Sequence, residues 1–156
     1  MNIKHSAANE AEVRKIIENW AKAVSSGDRP GILSHHSPQI LMFDFPAIEQ
    51  GIDAYNHTWD FFYAEPKGPI SFVPSELVVT AGEEVAFASC RIHCNGTSAG
   101  PLDLRLTVGL QKIDGEWVIL HEHHSVPTTE DRFINLDGAS GGTSNSYKPN
   151  APRGSA

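Results

Sequence analysis

The sequence is short of positive charge. Twelve Lys and Arg stand against 19 Asp and Glu in 156 residues, giving a formal net charge of −7 and a pI near 5.5. No run of Lys or Arg gathers the cations into a patch. Binding nucleic acid or an anionic membrane surface requires a basic face, so neither is an expected partner. Long apolar runs are missing as well. Met1-Asn2-Ile3-Lys4-His5 leads into an amphipathic pattern without the apolar core of a signal peptide, and no stretch reaches the length of a membrane span, which points to the cytoplasm. Cysteine is scarce: Cys90 and Cys94 lie in one strand-like stretch, where extended backbone holds them roughly 13 Å apart, beyond disulfide reach. Two buried, reduced thiols are expected, and their spacing suits no zinc site. Nothing resembles a phosphate-binding glycine loop.

What is present has a clear order. Val13, Ile16, Ile17, Trp20, Ala21 and Val24 recur at helical spacing, with Asn9 and Glu12 offering an N-terminal capping box and Gly27 a C-terminal cap. Arg29 to His36 reads as a short second helix that stops before Pro38, and Gln39 to Phe45 as a strand ended by Pro46. Gly51 to Ala64 is a third helix with Tyr55, Trp59 and Phe62 as an aromatic stripe. Strands follow over Ile70 to Thr80, Glu83 to Asn95 and Leu102 to Ile113, the last with Leu102, Leu104, Leu106, Val108 and Leu110 on one face. Asp114-Gly115 signals a tight turn into a final strand, Glu116 to His124. Simple alternation there puts His121, His123 and Ser125 on one face with Trp117 and Ile119, and Glu122 and His124 on the other.

Helices first and adjacent strands afterwards predict an α+β domain, its N-terminal helices packed on a mostly antiparallel sheet. One domain is expected over residues 1–136. From Asp137 the composition turns to Gly, Ser, Asn and Pro, so 137–156 is expected to form a flexible tail.

Asp44 lies between Phe43 and Phe45. A carboxylate in such company either finds hydrogen-bond partners or takes a raised pKa that suits a proton-transferring base. The competing reading is a carboxylate that caps a loop amide or pairs with Arg105. His121 and His123 have the chemistry to donate to an oxyanion or exchange protons, against a histidine pair satisfied by neighbours at a rim. Their spacing on one strand, with His93 or Asp44, also suits a metal, but no closed ligand set is present and none is expected to bind. Trp20, Tyr55, Trp59 and Phe62 are candidate pocket-lining residues or plain core, His93 is a further candidate ligand contact, and Arg105 is either a contact to a substrate carboxylate or enolate or a solvent- or subunit-facing arginine. His35, His36 and His57 read as surface or helix-face residues.

The element order and the ending Gly-x-Trp-x-Ile-x-His-x-His-x-Ser-x-Pro, Gly115 to Pro127, resemble the nuclear transport factor 2-like superfamily, in particular its SnoaL-like and steroid-isomerase-like branches. The ending is also similar to the association domain of calcium/calmodulin-dependent kinase II. The resemblance covers residues 8 to 130 and implies a cone-shaped fold in which a curved sheet wraps helices around a pocket. In the isomerase branch the catalytic carboxylate ends the first strand before a proline region, and Asp44 matches that place. The branch's two oxyanion donors fall at Trp20 and Gly109 here, so both are absent. The resemblance implies an isomerase or cyclase moving protons beside a carbonyl without a cofactor, Asp44 as base and His121 or His123 serving the enolate, with an apolar or aromatic small molecule as partner. Its alternative is a non-catalytic binding or assembly module. A homodimer is expected on either reading.

Overall fold

A computed structural model describes residues 6–45 and 47–127. The expected tail, and with it the domain limit at 136, lies outside the described residues. Helix α1 (Ala7–Ser26) buries Val13, Ile17, Trp20, Ala21 and Val24, the stripe its spacing predicts. Its cap is Ser6, whose Oγ accepts from the Asn9 amide at 3.3 Å. The expected Asn9–Glu12 box is not used, because Asn9 ties the helix to the sheet: its Nδ2 donates to the Gly82 carbonyl at 2.7 Å and its Oδ1 accepts from Lys112 Nζ at 3.1 Å. At the far end Gly27, with φ +69°, closes the helix as a left-handed cap. Helix α2 (Arg29–Leu33) is shorter than predicted, since the chain is already extended at Ser34 and enters strand β1 (His36–Phe43). The turn out of the helix passes through His35, which is left-handed at φ +61°. A three-residue strand, β2 (Ile48–Gln50), escaped the sequence reading; helix α3 (Ile52–Phe62) follows it.

Strands β3 (Ser71–Ala81), β4 (Val85–Asn95), β5 (Leu102–Ile113) and β6 (Glu116–Ser125) complete a six-stranded sheet in the order β2-β1-β6-β5-β4-β3. Every pairing is antiparallel except β1 with β6, which run parallel, so the curved sheet is mixed. Asp114 (φ +51°) and Gly115 (φ +82°) are both left-handed, as a two-residue hairpin turn between β5 and β6 requires. The inner face carries Ala86, Ala88, Cys90, Ile92 and Cys94 of β4 and Leu104, Leu106, Val108 and Leu110 of β5. Helix α1 covers this face at β3, and α3 lies against β1. Both cysteines are free and buried, and burial pushes the Cys90 thiol up to about 11. Among the described residues no helix is long and apolar enough to cross a membrane.

Alternation fails once in β6, and that failure decides which side chains face the core. Leu110 pairs with Ile119, whereas Gly109 pairs with His121, so Leu120 is an extra residue with no partner of its own. Such a bulge inverts the parity of everything after it. Trp117 and Ile119 face inward, and beyond the bulge Glu122 and His124 do so, while His121 and His123 turn to the outer face. The expectation that His121 and His123 share a face with Trp117 is therefore overturned. Deletion of Leu120 restores unbroken alternation and is expected to abolish cooperative folding or cost more than about 4 kcal/mol, whereas Leu120→Val, which keeps the extra residue, costs less than about 1.5 kcal/mol. Thermal and urea unfolding of both variants checks this.

Candidate functional site

The inverted end of β6 carries a carboxylate into the protein interior. Glu122 is 1% exposed. Its Oε1 accepts from Tyr55 Oη at 2.9 Å and lies 2.6 Å from His36 Nε2; its Oε2 lies 2.8 Å from His124 Nε2. Trp20 Nε1 donates to the Tyr55 hydroxyl at 3.1 Å, and the His36 ring stacks on Tyr55 with centroids 4.5 Å apart. Burial alone raises a carboxyl pKa. Here the hydrogen bonds from His124 and His36, with their charge, outweigh it and hold Glu122 down at about 2. Burial, and then the charge of Glu122, push the Tyr55 phenol well above its usual value. The two ring nitrogens of His36 face groups that only accept, the Ser34 carbonyl at 2.9 Å from Nδ1 and the ionised Glu122 at Nε2. Satisfying both requires a proton on each nitrogen.

Two adjoining cavities open beside this cluster. The first, about 510 Å³, is walled by Phe61, Phe62, Cys94, Leu102 and Leu104, with Asp44 at its edge. The second is a groove lined by Asp44, Phe45, His123, His124, Ser125 and Val126. Asp44 lines both. Its Oδ1 accepts from the Phe45 amide at 2.8 Å, and its own amide donates to the Ala47 carbonyl at 2.9 Å, so the turn fixes the carboxylate at the end of β1.

The residues singled out from sequence fall into separate places. Asp44 and His123 meet at the groove, and Phe62 walls the cavity beyond it. Trp20, Tyr55 and Trp59 are 3%, 0% and 4% exposed and line neither cavity; they pack edge-on against one another as core. His121 lies outside both cavities, its Nδ1 2.8 Å from the Leu41 carbonyl and its ring against Phe43. Arg105, on the outer face, donates from Nε to Ser125 Oγ at 3.1 Å. His93 stands between Asp103 (2.6 Å from Nδ1) and Ser75 (3.1 Å from Nε2), the order of a nucleophilic triad. That line is exposed on the outer sheet face, neither His93 nor Asp103 lines these cavities, and the β4 amides there are spent in the ladder. The β4 amides beside it are therefore not oxyanion donors, which are the largest contribution to acyl transfer.

Sequence reasoning missed His36, Glu122 and His124. His36 was assigned to a helix face, yet its side chain is fully buried against Glu122. The available signal was a carboxylate inside the segment His121-Glu122-His123-His124, whose facing depends on a bulge that residue types do not announce. Among the described residues no group of three or more His, Cys, Asp or Glu is placed to hold a metal.

Comparison with known proteins identifies the setting. The profile of the SnoaL-like domain matches residues 13–129. A nuclear transport factor 2-like protein of unknown function from Pseudomonas putida is 32% identical, with 83% of this chain and 94% of that one covered and a TM-score of 0.75. A candidate ketosteroid isomerase from Shewanella frigidimarina (19% identical, covering 71% and 92%, TM-score 0.60) shares the fold. So does a calcium/calmodulin-dependent kinase II hub homology domain from Chlamydomonas reinhardtii (17% identical, covering 77% and 98%, TM-score 0.63). No curated protein matches the chain.

Because the folded pKa of Glu122 is held below its unfolded value, the stability it confers is present above about pH 4.5 and is lost as pH falls toward about 2. Urea unfolding between these limits is expected to show that loss. At neutral pH Glu122→Ala, which strands the charge on His36, is expected to cost about 3–5 kcal/mol.

Proposed function

Since the chain belongs to the SnoaL-like family of the nuclear transport factor 2-like superfamily, we propose that it binds an apolar or aromatic small molecule and moves a proton next to that molecule's carbonyl group without a cofactor. One observation carries the reading: Asp44 is the carboxylate at which a largely apolar cavity meets a groove edged by imidazoles. An apolar body fits against Phe61, Phe62, Leu102 and Leu104, and its polar end then lies at Asp44. Asp44 acts as the base, and the imidazole-lined groove receives the oxygen on which charge develops. His123 edges that groove; His121 is engaged with Leu41 and has no part in it.

The steroid-isomerase branch guides this reading only as far as Asp44. Its tyrosine donor position is Trp20, whose indole is committed to Tyr55, and its acid position is Gly109, opposite the β6 bulge. On this proposal the oxyanion donors come from β6, and the substrate class is an enolisable ketone rather than a steroid in particular. The test uses 2-tetralone, an apolar, aromatic and readily enolised ketone. Wild-type protein is expected to accelerate exchange of its C1 protons with deuterated water, read by proton NMR. Asp44→Asn is expected to lower that rate about 100- to 10,000-fold while ligand binding, read by saturation transfer, persists. Binding without exchange supports the non-catalytic module instead.

A homodimer belongs to the same proposal. Val78, Val85 and Phe87 expose 58%, 66% and 53% of their surface on the outer face of β3 and β4, where an apolar patch calls for cover. A second copy offers the same patch by two-fold symmetry. Sedimentation of the wild type is expected to give a dimer, and Phe87→Glu with Val85→Glu is expected to give a monomer; a wild type that sediments as a monomer removes the assembly.

A further inference from the structure

Beyond Asp44, the groove holds a residue with the geometry of a catalytic acid. We propose that His124 is the second proton-exchanging residue of the groove and that Glu122 is its positioning residue. On this account His124 Nδ1 delivers a proton to the carbonyl oxygen of the molecule from which Asp44 removes one. The inference rests on the proposed role of Asp44 and deepens it.

The strand register supplies the first argument. Met42 of β1 and Glu122 of β6 are partners on the inner face of the parallel pair, and Phe43 with His123 are the next partners along. There β1 ends: Asp44 follows at the turn, while His124 follows on β6. Both line the same groove. Atom-by-atom accounting supplies the second. His124 is 7% exposed and its Nε2 is bound to Glu122. Its Nδ1 has no hydrogen-bond partner among the described residues, and the residue lines the groove. A ring held at one nitrogen by a carboxylate and open at the other has its tautomer and orientation fixed before substrate arrives.

Charge supplies the third. The groups facing His124 are Glu122 on its own strand, His36 of β1 acting through Glu122, Asp44 and His123 at the groove, and from α1 the edge of the Trp20 ring, 6.3 Å away. Glu122 is already answered by a doubly protonated His36. In the proposed resting state His124 carries a second proton, on Nδ1, and Asp44 is ionised, so that with Glu122 and His36 the four groups together are neutral. In the step itself the α C–H bond breaks and its proton goes to an Asp44 oxygen. The released pair forms the carbon–carbon double bond, the carbonyl π pair moves to oxygen, and that oxygen forms an O–H bond with the proton from Nδ1. An enol, a neutral Asp44 and a neutral His124 result, and the reverse step returns both protons, so no oxidant, reductant or co-reactant is consumed. The substrate class is an enolisable carbonyl compound with its apolar body in the 510 Å³ cavity and its oxygen in the groove.

The experiment follows exchange of 2-tetralone C1 protons in deuterated water against pH, for wild type, Asp44→Asn, His124→Gln and Glu122→Gln. His124→Gln is expected to lower the rate about 100-fold or more with little change in KM. Glu122→Gln is expected to keep part of the rate but to move the alkaline limb of the profile to lower pH, because losing the carboxylate weakens the hold on the His124 proton. Asp44→Asn inactive with His124→Gln at full rate overturns the inference and leaves Asp44 standing; a wild type without exchange overturns both. Should Glu122→Gln fail to fold, nitrogen-15 NMR of the wild-type imidazoles decides. The Nε2 proton of His124 is expected to persist, held by Glu122, with the exchanging proton at Nδ1, and a neutral tautomer protonated at Nδ1 overturns the assignment.

Discussion

A carboxylate sealed in the core sets the terms for the rest of this molecule. Taking Glu122 out of water costs several kcal/mol even after relaxation, so donors have to come from every side. Tyr55 of α3, His36 of β1 and His124 of β6 bond to it directly, and Trp20 of α1 bonds to Tyr55 behind it. The cluster thus ties two helices to the parallel seam between β1 and β6. Stability does not explain why such a group is buried, since well-packed apolar residues usually serve as well. The contact that apolar residues cannot replace is the one to His124, the member of the cluster that reaches the groove.

The seam also explains where the groove lies. Parallel pairing of β1 with β6 brings their C-terminal ends together, and β1 ends at Phe43, one residue before Asp44, while β6 runs on to Ser125. Polar side chains can leave the core at that end without crossing the leucine and valine layer of β5. An apolar cavity under α3 then adjoins a polar rim, as recognition of an apolar molecule with one polar end requires.

Much of the frame was legible in the residues. The α1 stripe, the Gly27 cap, the Asp114-Gly115 turn and the alternation of β5 all reflect local rules that tertiary contacts leave in force. The site was legible in part: Asp44, His123 and Phe62 were singled out and do line the cavities. What escaped depends on non-local geometry. One unpaired residue, Leu120, exchanged the faces of His121 and His123 with those of Glu122 and His124, and residue types alone do not mark a bulge. His36 looked like a helix-surface residue because its partner is 86 positions away, and residue types left Trp20 and Tyr55 open between pocket lining and core because they do not show the chain of bonds from Trp20 through the Tyr55 hydroxyl to the buried carboxylate.

The central claim is that Glu122 is ionised and inward, with its charge held by two imidazoles that differ in role. Neutron diffraction from crystals grown in deuterated solvent near neutral pH tests it most directly, because it locates the protons. The account requires deuterium on both nitrogens of His36, on Nε2 of His124 and on the Tyr55 hydroxyl pointing at Glu122, and none on the Glu122 carboxylate. A deuteron on Glu122, or a Glu122 side chain turned to the outer face of the sheet, contradicts it.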